Sequence, residues 1–418
     1  MHINFFGDKI EIEMDEIEQL LTRGVERIYP SRGALGEILR GGKKLRLYQG
    51  FDPSMPSLHL GNFVGLMKLR QFQKLGHEVI FLVGDFTGMI GDPTDKLATR
   101  RMLTRQEVLK NAESWKKQAE KVLDFDGENP VKFKFNSEWL DKVTFKDLIE
   151  ITSKFTVQQM LERDMFQERL KENKPIYLHE FLYPVAQAID CVQMDVDLEI
   201  GGSDQTFNML MGRQLMAAIK GKEKYVLTTK LLVDAKGEKV GKTTGNALFL
   251  DSTPEQFYGG VMSFPDEVIV LGFELLTEVP FVASEIEKEV AKDPLAAKKR
   301  LAFEVVKLLW GEKAAEKAQT EFENVFQKRE APQAAIEVKV RSGKWEVGSL
   351  IMEIGMAKSI SEAKRLVKQG AVDIEGRTAT PDEEVLLKDG MIIKVGKNRF
   401  VKIRVNPCLP AGRRFKSV

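Results

Sequence analysis

LRLYQGFDPSMPSLHLGN, residues 45–62, is the stretch whose reading decides the fold. The apolar run Leu45 to Tyr48 reads as a short strand, and Pro53 and Pro56 forbid a helix before Ser57. The apolar spacing of Leu60, Val64 and Met67 to Leu69 then asks for a helix, with Ser57 as its N-cap and Gly76 just past the end of Phe63 to Leu75. Val79 to Gly84 follows as an unbroken apolar run of strand length, the pattern of a parallel strand covered on both faces. Strand, helix and strand in this order imply a right-handed crossover and a doubly wound parallel sheet. Ligands of such sheets lie at the carboxyl ends of the strands, here near Tyr48 to Pro53 and Gly84 to Pro93.

In the first turns of the predicted helix, His59 and Asn62 lie three residues apart on one face, where backbone N–H groups attract anions. Gly61 between them leaves no side chain to obstruct a nucleotide. About 180 residues downstream, Lys239-Val240-Gly241-Lys242-Thr243 supplies two lysines on a loop loosened by Gly237 and Gly241. Together the two elements describe a clamp for a nucleotide triphosphate. A third signal is Tyr183, Gln187 and Asp190, which at i, i+4 and i+7 share one face of a helix.

With these motifs in order, the chain resembles the class I aminoacyl-tRNA synthetases, and within them the bacterial tyrosyl-tRNA synthetases. His59-Leu60-Gly61-Asn62 is similar to their H-I-G-H signature, and Lys239 to Thr243 is similar to K-M-S-K-S. The likeness continues through Leu47 to Pro53, Gly88 to Pro93, Tyr183 to Asp190 and Gly201-Gly202-Ser203-Asp204-Gln205. The resemblance implies activation of L-tyrosine by ATP with Mg2+, release of pyrophosphate, and transfer of tyrosine to tRNA(Tyr). It implies that His59, Asn62, Lys239, Lys242 and Thr243 act on the phosphates, and that Gly50, Asp52, Gly61, Gly202 and Asp204 hold the nucleotide. Tyr48 and Asp190 are implied at the substrate phenol, with Asp190 as acceptor. Asp92, Tyr183 and Gln187 are implied at its ammonium group and Gln205 at its carboxylate. Because Asn62 stands where the signature has histidine, it can hydrogen-bond a ribose but takes no acid–base role. Gln49 and Gly65 stand where other members have small or hydroxylated residues.

The implied architecture is an α/β Rossmann-like catalytic domain at 31–245 after an N-terminal segment at 1–30. A helical domain at 246–330, a linker at 331–345, a small α+β RNA-binding module at 346–408 and a tail at 409–418 complete it. Within the module, Ser361 to Gly370 resembles the RNA-binding domain first described in a ribosomal protein, and Lys364, Arg365 and Lys368 form a basic edge for tRNA phosphates. The resemblance also implies a symmetric homodimer, with Phe, Met and Leu side chains between 155 and 166 as its apolar surface.

Composition fits this division of labour. The 418 residues carry a net charge of +1, which excludes a uniformly basic nucleic-acid coat. The balance hides an asymmetry: residues from Glu337 onward hold 17 Lys or Arg against 10 Asp or Glu, a net of +7, while residues 1–336 carry 46 against 52. A basic end on an acidic body suits one module for polyanions and another for small substrates. Cys191 and Cys408 lie far apart without ligand-like partners, so neither a disulfide nor a protein metal site is expected. No stretch reaches 18 apolar residues, and a cytoplasmic enzyme without membrane contact is expected. Two other readings share part of this signal. Tryptophanyl-tRNA synthetase lacks the tyrosine-type stripe, and a nucleotidylyltransferase with the H-x-G-H helix explains neither Tyr183 to Asp190 nor the basic end.

Overall fold

The computed structural model describes residues 16–92, 103–240, 248–326, 336–396 and 399–406. The chain divides into two compact units, one running to Ala315 and one from Glu316 onward. The first is built on six strands: β1 (Val25–Tyr29), β2 (Arg46–Phe51), β3 (Glu78–Val83), β4 (Lys132–Phe135), β5 (Leu198–Gly202) and β6 (Tyr225–Thr229). Their spatial order is β1-β6-β5-β2-β3-β4, parallel from β6 to β4, with β1 antiparallel at the edge. The chain moves outward from β2 through β3 and β4, then returns to the other side of β2 for β5 and β6. The order therefore reverses between β2 and β5, where a doubly wound sheet leaves its ligand crevice. β1 also means that the last part of the segment expected at 1–30 is an edge strand of the main sheet; residues 1–15 lie outside the described residues.

Both faces are covered, which is why β3 is apolar at five consecutive positions, Val79 to Val83, all buried. On one face Gln49 of β2 packs over Gly65 of the helix Leu60–Lys74, where a Cβ on Gly65 would collide with the Gln49 amide. On the other, Tyr48, Ile80 and Leu82 cluster with Cys191, Met194 and Val196 at the end of the helix Leu178–Met194. The helix expected after the prolines starts at Leu60 and is followed by Gly76 at φ +78°. Its N-cap is His59, not Ser57, whose hydroxyl donates to Asp251 at 2.5 Å instead. The glycine-rich stretch Arg32 to Lys44 contains a helix, Arg32–Arg40, capped by the Ser31 hydroxyl. Gly36 within it permits close approach to Leu21 of the helix Glu16–Thr22.

The helices Pro254–Met262, Ile269–Leu276, Ala283–Lys292 and Pro294–Trp310 fall in the same compact unit as the sheet, where the sequence suggested a separate domain at 246–330. One buttress is Arg23, whose guanidinium donates to the carbonyls of Phe273, Glu274, Thr277 and Val279.

The second unit carries a five-stranded sheet of order β10-β9-β12-β13-β7 and a two-stranded ribbon β11-β8. Its strands are β7 (Ile336–Arg341), β8 (Lys344–Glu346), β9 (Val372–Ile374), β10 (Arg377–Thr378), β11 (Glu384–Leu386), β12 (Ile392–Val395) and β13 (Arg399–Asn406). The helices Val347–Glu353 and Ile360–Lys368 bury Leu350, Ile351, Ala363 and Val367 against Ile393 and Ile403. β7 pairs in parallel with β13, so the expected linker at 331–345 already contributes strands to this module. The tail at 409–418 and Cys408 lie outside the described residues.

Candidate active site

A single cavity opens at the carboxyl ends of β2 and β5. Tyr48, Gly50 and Asp52 reach it from β2 and the turn after it, and His59, Gly61 and Asn62 from the start of the next helix. Asp92, Tyr183, Gln187, Asp190, Gly202, Asp204, Gln205 and Lys239 complete the set. Every described residue that the sequence pointed to for the nucleotide and the amino acid thus lines one site. Lys242 and Thr243 lie outside the described residues.

The helix Leu178–Met194 presents Tyr183, Gln187 and Asp190 along one stripe, as its 3.6-residue period requires. Tyr183 donates its hydroxyl hydrogen to Asp52 at 2.8 Å, and Thr87 donates to the other oxygen of Asp52 at 2.7 Å. Burial pushes the Asp52 carboxyl up to about 7, against the pull of those two donors. Asp190 is 3% exposed and accepts from the Trp139 indole at 2.7 Å and from the Asn136 amide at 3.3 Å. Burial again drives its carboxyl well above the usual range, opposed by Trp139 and Asn136. Tyr48, opposite, donates to Glu199 at 2.6 Å and sits 3.1 Å from Cys191 Sγ.

At the other end, His59 and Asn62 cap their own helix reciprocally. His59 Nδ1 accepts from the Asn62 backbone N–H at 3.2 Å, and Asn62 Oδ1 accepts from the His59 backbone N–H at 2.9 Å. Because Nδ1 is an acceptor, the neutral ring carries its hydrogen on Nε2. Gly61 serves this cap first: a Cβ there would lie 2.9 Å from the His59 ring. Lys239 forms an ion pair with Asp204 at 2.6 Å. Gln205 donates to Asp92 at 2.6 Å, and buried Arg163 faces the second Asp92 oxygen at 3.7 Å, an ion pair longer than a hydrogen bond. Among the described residues, no group of three or more His, Cys, Asp and Glu side chains gathers in a metal-binding arrangement.

In the second unit, Lys364, Arg365 and Lys368 are all exposed on the helix Ile360–Lys368, whose Ala363 and Val367 face the core. Lys364 lies 3.8 Å from Glu346, close to the limit of an ion pair.

Sequence reasoning missed the groups that hold the site's side chains in place. Trp139 and Asn136 come from the β4 side and Thr87 from the β3 side, and none belongs to a short motif. Glu199 carried a legible signal, a charge inside a strand between the buried apolar residues Leu198 and Ile200, whereas Lys224 ends the charged run Lys222 to Lys224 and carried none.

Comparison with known proteins agrees with this geometry. A family model described as tRNA synthetases class I (W and Y) matches residues 40–327, and one described as S4 domain matches residues 350–390. A tyrosine–tRNA ligase of Moorella thermoacetica is 42% identical over 414 residues, covering 96% of this chain and 99% of that protein. A tyrosine–tRNA ligase of Thermotoga maritima is 43% identical over 397 residues, covering 93% and 97%. Among solved structures, a C-terminally truncated mitochondrial tyrosyl-tRNA synthetase of Coccidioides posadasii superposes with a TM-score of 0.62 at 27% identity, covering 74% of this chain and 92% of that one.

The raised carboxyl of Asp52 has a consequence for stability. Its folded-state value of about 7 lies above the ordinary 3.8, so the folded protein binds the extra proton. Stability from this group is complete below the ordinary value and is lost as pH rises through about 7. Thermal melts from about pH 4 to pH 8 should show a decline in the parent that Asp52→Asn flattens by on the order of 1–3 kcal/mol. Parallel curves for the two proteins contradict the assignment.

Proposed function

The chain belongs to the class I tRNA synthetases of the tryptophan and tyrosine type, and from that premise we propose how its residues divide the work of a tyrosine–tRNA ligase. The reaction uses tyrosine, ATP and tRNA. The carboxylate of tyrosine attacks the α-phosphate of ATP and expels pyrophosphate, and a terminal ribose hydroxyl of tRNA then attacks the adenylate carbonyl and releases AMP. No protein nucleophile is needed, so the residues act by placement and by charge. The observation that carries the assignment of roles is the convergence of the Tyr183–Gln187–Asp190 stripe and the capped His59–Asn62 turn on one cavity.

The phenol of tyrosine lies between Tyr48 and Asp190, in the deepest part of the site. Its ammonium group meets Asp92, Tyr183 and Gln187, and Gln205 stands at the reacting carboxylate. Asp52 ties the two halves together, since it holds Tyr183 on the amino-acid side and follows Gly50 on the nucleotide side. Asp204 meets the ribose, with Gly61 and Gly202 giving room for the nucleotide. His59, through Nε2–H, meets the phosphates at the positive end of the helix, and Asn62 hydrogen-bonds the ribose. Lys239 leaves Asp204 for the phosphates as its loop closes, joined by Lys242 and Thr243, so their charge acts chiefly in the transition state. Mg2+ enters with ATP as part of the substrate. The S4 module offers Lys364, Arg365 and Lys368 to the tRNA backbone, and the cytoplasm is the place of the reaction.

A second copy of the chain completes the assembly as a homodimer. The side chains expected for this, between 155 and 166, are partly inside the subunit: Met160 and Phe166 are buried. The exposed apolar surface beside them is Phe145, Ile149, Val157, Tyr177 and Leu178, the last 82% exposed. Patches of this kind mark association surfaces. Light scattering of the active enzyme should give twice the chain mass, and Leu178→Asp should lower it toward one. A fully active monomer contradicts the dimer.

Two further substitutions test the roles. Asp190→Ala should reduce the preference for tyrosine over phenylalanine by roughly 10- to 150-fold, the loss of one charge-assisted hydrogen bond of about 1.5–3 kcal/mol. Unchanged discrimination in a folded variant removes Asp190 from the phenol. Replacing Lys364, Arg365 and Lys368 together by alanine should raise the KM for tRNA about tenfold or more, with tyrosine-dependent pyrophosphate exchange within about twofold of the parent. Normal charging by that variant would show the basic edge to be dispensable.

A further inference from the structure

Behind the phenol end of the cavity lies a buried ion pair that none of the roles above employs. Glu199, in the middle of β5, is 1% exposed, and Lys224, just before β6, is fully buried against it. The Lys224 ammonium also donates to the Met209 carbonyl at 3.0 Å. Glu199 Oε1 accepts two hydrogens from residues that line the cavity, the Tyr48 hydroxyl at 2.6 Å and the Gln187 side-chain amide at 2.8 Å. The surroundings are shaped for the pair: a Cβ at Gly212 of the helix Thr206–Lys220 would lie 2.7 Å from Lys224 Nζ. Two charges removed from water cost more than an apolar pair of the same volume, so stability alone does not account for them.

We infer that Glu199, neutralised by Lys224, is a positioning residue for amino-acid selection, which holds the Tyr48 hydroxyl and the Gln187 side-chain amide in place at the cavity. With an ammonium against it, the carboxylate only accepts. It takes the single hydroxyl hydrogen of Tyr48 in a short, charge-assisted bond, which fixes where that oxygen stands, with Cys191 Sγ 3.1 Å away on its other side. It also takes the Gln187 amide hydrogen, which leaves the carbonyl end of that side chain as the part offered to the site. Tyrosine engages both of these side chains, its phenol beside Tyr48 and its ammonium group at Gln187, whereas phenylalanine engages only Gln187. The inference rests on the proposed contacts of Tyr48 and Gln187 with the substrate.

The test compares Glu199→Leu/Lys224→Met with Glu199→Gln/Lys224→Met, neutral pairs that leave no isolated buried charge. The first should raise the KM for tyrosine and lower the tyrosine-to-phenylalanine ratio in pyrophosphate exchange, each by about tenfold, with kcat and the KM for ATP within about twofold. The second, whose amide oxygen still accepts from Tyr48, should stay within about threefold of the parent in both. Parent-like selection by the leucine variant, or equal losses in the two variants accompanied by a raised KM for ATP, overturns the inference. A parent with no tyrosine-dependent exchange overturns the underlying assignment and this inference with it. A parent that activates tyrosine beside an unaltered leucine variant overturns this inference alone.

Discussion

The parallel pairing of β2 with β5 is the constraint on which the rest of the catalytic unit depends. It places strands distant in sequence side by side at the point where the chain reverses its outward course. Helices leaving the two strands then diverge to opposite faces and cannot close the crevice between them. Through this pairing Tyr48 of β2 comes opposite Glu199 of β5, and the turn after β2 delivers Asp52 and His59 to the same opening as Asp204 and Gln205. A break in that pairing would separate the amino-acid end from the nucleotide end.

The cavity is rich in carboxyl groups, yet its charge is closely managed. Asp52 and Asp190 are pushed upward by burial, whereas Glu199 and Asp204 each face a lysine. Asp92 has Gln205 on one oxygen and Arg163 beyond hydrogen-bond reach of the other. Asp52 and Asp190, raised by burial, suit an arriving ammonium group, whose charge favours their ionised forms. The other end of the cavity is built differently, from the His59–Asn62 cap and backbone N–H groups at a helix start, where anions are favoured.

How much of this was legible in the sequence follows from the range of each interaction. The stripe of Tyr183, Gln187 and Asp190 was readable because helical periodicity is local, and β3 because an unbroken apolar run of that length has few alternatives. The cap at His59 was misplaced to Ser57 because capping preferences favour serine, while the imidazole Nδ1 acts here as the acceptor and Asn62 answers it. Arg32–Arg40 was hidden by glycines that serve close packing against Leu21. β1 and β7 join sheets through partners some 200 and 65 residues away, beyond any local pattern. Glu199 is a charge between apolar neighbours, but its pairing with Lys224 and its hold on Tyr48 depend on adjacent strands in three dimensions.

The most direct measurement of the central claim is pyrophosphate exchange by the full chain with ATP and each of the twenty amino acids in turn. A pocket built to match a phenol and an ammonium group predicts exchange with tyrosine far above that with any other amino acid, phenylalanine and tryptophan included. Exchange that is strongest with tryptophan, or that proceeds without an amino acid, would contradict it.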